Sequence, residues 1–186
     1  MPVDAHAPDA ELVLKAQSGD VDAFEQLVER YSDLAFRSAY LILGAAQDAE
    51  DACQEAFYKA FRALSRFQPE LPLKPWLLRI VINEARNRRR GNSRRPELAT
   101  DLEVAAFTAG GPGPEDAAVA SDRRERLLRA VNGLPEDDRQ VVLCRYFLEL
   151  SVDETAGALG RPAGTVKSRL SRALDRLRPL LGDTDD

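Results

Sequence analysis

Lys167, Ser168, Ser171 and Arg172 combine two cations and two hydroxyls within six positions. That chemistry suits duplex DNA, where cations meet phosphates or guanine edges and serine hydroxyls meet either. The residues lie in LSVDETAGALGRPAGTVKSRLSRALDRLR. Val166, Leu170, Leu174 and Leu177 recur there at helical spacing, so the four polar residues fall off a buried stripe, with Arg169 and Arg176 beside them. Ahead of this helix, Ser151 and Glu154 form a capping-box pattern that opens a short helix to about Leu159. Gly160-Arg161-Pro162 breaks it, and Pro162 suits the opening of the next. A capped helix, a glycine turn and a basic helix predict a helix-turn-helix entering the major groove. A basic amphipathic helix alone reads more readily as a solvated surface; the preceding helix and turn reverse that preference.

A second constellation lies upstream. Trp76, Asn83, Arg86, Asn87, Arg88, Arg89 and Arg90 place an aromatic, two amides and an arginine run on one predicted helix. Single-stranded or unstacked DNA calls for this set: cations for phosphates, a π-face for bases, amides for base edges. Taken alone, Trp76 reads more readily as core and the arginines as a solvated helix end. The cluster as a group favours nucleic acid, because the chain as a whole is acidic.

The elements that position these residues are helical throughout, with no convincing strand alternation. A first helix covers Ala10–Gln17 and stops at Ser18-Gly19. Asp20 is placed to cap a second carrying Phe24, Leu27, Val28, Tyr31 and Leu34 on one face. After a loop at Gly44, Asp48 is placed to cap a third, with Ala49, Cys53, Ala56, Phe57, Ala60, Phe61 and Leu64 as its buried stripe. Phe67 to Pro75 reads as a proline-punctuated loop, after which Trp76, Leu77, Ile80 and Val81 restart a helix. Leu127, Leu128, Val131 and Leu134 mark another helix, and Pro135 opens one containing Val141, Val142, Leu143 and Tyr146.

Between Pro96 and Asp122 there is no lysine or arginine, while Glu97, Asp101, Glu103, Glu115 and Asp116 stand around a Gly110-Gly111-Pro112-Gly113-Pro114 breaker. This predicts an acidic tether between two helical modules. The net charge of -5 argues against indiscriminate nucleic-acid coating. With 44% hydrophobic residues, packed cores are expected. No apolar run approaches the ~18 residues of a membrane span, and no signal-peptide pattern opens the chain. Cys53 and Cys144 sit among apolar neighbours and read as buried thiols in a reducing cytoplasm, not as a disulfide or metal site. The only histidine is His6, and no glycine-rich phosphate loop exists, so an enzyme is the weaker reading.

In order along the chain, SGDVDAFEQLVERY, DAEDACQEAFYKAFRAL, WLLRIVINEARNRRR, LPEDDRQVVLCRYF and GTVKSRLSRALDRLR together resemble a bacterial RNA polymerase sigma factor of the extracytoplasmic-function (ECF) group. The resemblance implies an all-α protein of two small helical domains. Residues 9–95 would form a region 2-like bundle and 122–181 a region 4-like helix-turn-helix domain. An acidic linker over 96–121 joins them, with a disordered start at 1–8 and an acidic tail at 182–186.

It further implies roles at matching positions. Asp51, Gln54 and Glu55 would meet a coiled coil of the polymerase's largest subunit, although Asp51 also reads as a capping-box acid over Asp48. Asn83 and Asn87 would face the melted −10 strand, with Arg86, Arg88, Arg89 and Arg90 on phosphates and Trp76 nearby. Thr165, Lys167, Ser168, Arg169, Ser171 and Arg172 would meet the −35 duplex. The implied partners are core RNA polymerase and promoter DNA, and the resemblance admits an anti-sigma factor; no cofactor, metal or membrane is implied. Two departures stand out. The loop FQPELPLKPW replaces the usual Gly/Ser-rich stretch. Thr155 and Gly157 occupy aliphatic or helix-forming positions, Gly157 at a cost of about 0.5–1 kcal/mol relative to alanine. A stand-alone helix-turn-helix regulator is the alternative reading.

A tether this long reaches about 90 Å extended but averages about 30 Å as a coil. Elements roughly 25 base pairs apart lie roughly 85 Å apart. A scaffold is therefore needed to hold both modules in register, and polymerase is the expected one.

Overall fold

The computed structural model describes residues 7–91 and 126–181. The predicted linker and tail, and residues 1–6 of the predicted disordered start, lie outside the described residues. All regular elements among the described residues are helical.

α1 (Asp9–Gln17) buries Leu12 and Val13 and ends before Gly19, whose φ of 100° takes the chain out of the helix. Gln17 Nε2 donates to the carbonyls of Leu64 and Phe67, each at 2.8 Å, pinning α1 to the far end of the third helix. α2 (Val21–Leu43) is capped as predicted, Asp20 accepting from the Ala23 N–H at 3.1 Å, and closes on left-handed Gly44.

α3 (Ala46–Leu64) departs from the predicted start. It opens at Ala45 without a side-chain cap, which puts Asp48 in the first turn, where its carboxylate accepts from Arg88 instead. Its buried stripe is Ala49, Ala52, Cys53, Ala56, Ala60 and Leu64, mostly small residues that let α2 and α4 approach closely. Phe61, predicted buried, is 47% exposed and meets Phe24 edge-on at 5.0 Å. One helical step of about 100° beyond Ala60 carries it to the stripe's margin.

α4 (Leu73–Gly91) begins inside the predicted loop. Pro75 sits in its first turn, where a missing N–H leaves no hydrogen bond broken. Leu77, Leu78, Val81, Ile82 and Ala85 are buried, so one face of α4 is covered as far as Ala85.

In the second module, residues 126–132 form α5. α6 (Glu136–Val142) runs on into a π-type turn, Leu143–Phe147. α7 (Val152–Leu159) carries the predicted capping box: Glu154 N–H donates to Ser151 Oγ at 3.1 Å, and Ser151 N–H to Glu154 Oε2 at 2.7 Å. Left-handed Gly160 ends it, and α8 (Ala163–Leu181) follows. The buried line of α8 is Val166, Ala173 and Leu177 with Leu170 partly covered, whereas Leu174, predicted buried, is 36% exposed. Position 173, not 174, keeps phase with 166, 170 and 177 at 3.6 residues per turn.

The modules are packed against each other, α4 on α7. One buried cluster runs through both, including Leu78, Val81 and Ile82 on one side and Leu143, Leu148 and Leu159 on the other. Arg37 Nη2 donates to the Phe147 carbonyl at 2.8 Å, and Lys74 Nζ pairs with Glu154 Oε1 at 2.9 Å.

Candidate nucleic-acid and polymerase interfaces

On α4, Asn83, Asn87 and Arg90 share an outward face and are all exposed. Spacings of four and three keep them on one line. Their neighbours are engaged within the protein. Trp76 is half-buried and lies on Phe67, ring centroids 4.7 Å apart, in the cluster that holds Leu12, Leu27 and Leu73. Its body packs against the core, as expected of the tryptophan taken alone. Arg88 donates through Nε to Asp48 Oδ1 at 3.0 Å and through Nη2 to Asp51 Oδ2 at 2.5 Å. The hydrogen bond from Arg88 to Asp48, reinforced by Asp51, raises its pKa above the ordinary arginine value. Arg89 forms an ion pair with Glu136 of α6. Arg86 is half-buried; desolvation pulls its pKa down against the opposing pull of Glu136 and Asp137.

On α8, Lys167, Ser168, Ser171 and Arg172 are exposed, and Thr165 is partly so. Local bonds hold this face: Ser168 Oγ donates to the Thr165 carbonyl at 3.1 Å and Arg172 Nε to the Ser168 carbonyl at 3.3 Å. Arg169 points the other way. It reaches Asp137 at 2.8 Å and Asp138 at 3.2 Å, while Arg176 reaches Asp138 at 2.5 Å. Asp138 is 3% exposed, so these arginines fix how α8 is seated on α6. Arg161 adds a 3.8 Å contact to Asp137.

On α3, Gln54 and Glu55 are exposed, with Glu55 bridged to Lys59 at 3.4 Å. Asp51 is half-buried, engaged by Arg88 and by Gln47 Nε2 at 3.4 Å. The acids Glu136, Asp137 and Asp138 at the start of α6 were not singled out from sequence. Their signal was three consecutive carboxylates after Pro135 in a chain with two basic clusters.

Cys53 and Cys144 are buried free thiols, and burial pushes each up to about 12. Among the described residues no group of histidine, cysteine and carboxylate side chains is placed to hold a metal ion. No described helix is long and apolar enough to cross a membrane.

These two exposed polar faces fall in segments that match known families. Sigma-70 region 2 matches residues 27–95, and Sigma-70, region 4 matches residues 124–177. The ECF RNA polymerase sigma factor SigW of Bacillus subtilis (strain 168) is 33% identical over 92% of this chain and 95% of its own length. The chain belongs to the ECF RNA polymerase sigma factors. The ECF sigma-E factor of Escherichia coli (strain K12) is 35% identical over 93% of this chain and 96% of its own. The solved structure of CnrH in complex with the cytosolic domain of CnrY is similar at a TM-score of 0.68 and 28% identity. It covers 96% of this chain and 99% of that one. The region 2 match spans most of α2 with α3 and α4, and the region 4 match spans α5–α7 and most of α8.

Proposed function

We propose that this ECF sigma factor binds core RNA polymerase in the cytoplasm and directs promoter recognition, strand opening and initiation, with the two exposed faces as its DNA readers. α8 meets the −35 duplex through Thr165, Lys167, Ser168, Ser171 and Arg172, while Arg169 acts mainly by seating α8 on Asp137 and Asp138. α4 meets the melted −10 strand through Asn83, Asn87 and Arg90, with Arg86, Arg88 and Arg89 adding phosphate contacts once released from their internal partners. Gln54 and Glu55, with Asp51, form the polymerase contact. The domains run over 9–95 and 122–181, joined by an acidic linker over 96–121, and an anti-sigma factor is a further partner.

The observation that carries this reading is the pairing of two exposed polar faces, on α4 and α8, in a chain matched by both sigma-70 regions. Opening proceeds by binding alone: contacts that exist only with unpaired bases favour the melted state over the duplex. Such a factor needs no catalytic group. Run-off transcription on a genomic fragment library, with core polymerase plus the protein, tests the reading. Discrete starts that share two spaced elements are expected. Starts no different from those of core polymerase alone would overturn it. A gel shift with protein alone on duplex promoter DNA separates it from a stand-alone regulator, which would bind tightly without polymerase.

A further inference from the structure

Arg126 and Arg129 of α5 and Arg176 of α8 stand around one open cleft of about 380 Å³, which Ala130, Leu134 and Leu180 also line. Its floor is apolar: Ala130 and Leu134 are buried, whereas Leu180 is 60% exposed. Arg176 reaches Asp138 from one side, yet half of its side chain stays open. Like charges gathered in this way repel, and an anion placed among them offsets the cost. The chain carries such anions close at hand. α8 ends at Leu181, one residue past Leu180, and the next five residues are Gly182-Asp183-Thr184-Asp185-Asp186. We propose that residues 182–186 fold back into this cleft, their aspartates meeting Arg126, Arg129 and Arg176, as a tethered competitor for any acidic protein partner of this face.

Reach and charge both permit the contact. Five residues span at most about 17 Å, and Arg176 lies only about 7.5 Å back along the helix from Leu181. Gly182 is the first residue past the helix, where glycine most readily turns a chain back. The face is separate from the proposed −35 reader, since Lys167, Ser168, Ser171 and Arg172 do not line the cleft. The tether decides the strength. Exposed ion pairs are individually weak and screened by salt, so a free pentapeptide of this composition would scarcely bind. Attachment at Leu181 raises its effective concentration to the millimolar range. At an intrinsic dissociation constant of about 1 mM, an effective concentration of about 2–9 mM fills the cleft in most molecules. A competing acidic ligand is then weakened about threefold to tenfold.

The test uses the full-length protein and a dye-labelled hexa-aspartate peptide, whose binding is read by fluorescence anisotropy at low ionic strength. One variant carries Asp183→Asn, Asp185→Asn and Asp186→Asn. A second carries Arg126→Gln with Arg129→Gln, and a third combines both sets. Neutralising the aspartates is expected to tighten peptide binding about threefold to tenfold, by removing the competitor. The same three changes made without the arginines should bring no gain. A gain that persists there would reflect altered net charge alone and would overturn the proposal, as would no gain in the first variant. A gain of binding does not arise from misfolding, so it survives any loss of stability. A second measurement follows residues 182–186 directly, through Thr184→Cys labelled with an uncharged dye while Cys53 and Cys144 stay buried. The dye should be held in the parent background and freed by about 0.5 M NaCl or by Arg126→Gln with Arg129→Gln. Equal freedom at low and high salt would likewise overturn it.

Discussion

Gly157 of α7 lies directly against the ring of Pro75 at the start of α4, with room for a hydrogen and none for a methyl. In sequence this glycine is an unfavourable helix residue. In the structure it is a point of close approach between the two modules.

Gly157→Ala is expected to improve local helix propensity by about 0.5–1 kcal/mol while separating the modules. Because one buried cluster spans both modules, the parent protein should melt in a single transition. The variant should melt in two, and differential scanning calorimetry distinguishes the profiles.

Glu154 links the capping box to the module boundary through Lys74. Burial pushes its carboxyl up, but hydrogen bonds from Lys74 and Ser151 outweigh this and hold it below the reference 4.5. A carboxyl with a lowered folded value binds fewer protons when folded than when unfolded. Its contribution is therefore fully present above about pH 4.5 and is lost as pH falls through the lower folded value. Chemical denaturation from pH 6 down to pH 3 should show the parent losing its advantage over Glu154→Gln below that point, with a constant difference above it.

Asp138→Ala removes the carboxylate on which Arg169 and Arg176 converge. It should cost about 1–3 kcal/mol, the usual worth of a charged hydrogen bond at a partly solvated pair. Urea unfolding measures the loss. Binding of −35 duplex by the holoenzyme should fall as well, because α8 loses its seat.

Lys167→Ala combined with Arg172→Ala changes only exposed positions. Stability should stay within about 0.5 kcal/mol of the parent. Initiation that depends on the −35 element should fall about tenfold or more, at 1–3 kcal/mol per lost base or phosphate contact. Affinity for core polymerase, measured by fluorescence titration, should be unchanged.

The Cys144 thiol is 2% exposed, and burial lifts it to about 12. It should react with a thiol-directed dye orders of magnitude more slowly than free cysteine in the folded protein, and fully in denaturant. Faster labelling in Gly157→Ala would mark opening of the module boundary beside it.

The helices, the Asp20 cap and the Ser151–Glu154 box were readable because each rests on contacts within a few residues. The phase of α8 was legible to within one position: leucine at 174 is the more conspicuous residue, but Ala173 keeps the helical line. Asp48 looked like a cap because its chemistry suits one, and only the fold brings Arg88 to it from 40 residues away. The outward line of Asn83, Asn87 and Arg90 follows from helical spacing. Which arginines beside it are held by carboxylates does not, since those partners come from α3 and from the other module. The packing of the modules escaped sequence reading for the same reason, and Gly157 registered as a local defect because its partner, Pro75, is distant in the chain.

Asp138 has a consequence for how such a reader changes over time. It holds α8 by Arg169 and Arg176, whereas Lys167, Ser168, Ser171 and Arg172 face away from it. The residues that anchor the helix and those proposed to read sequence are separate sets. Substitutions at the reading positions can therefore accumulate, and shift the recognised promoter, without loosening the helix that carries them. Specificity is free to drift on a fixed mount.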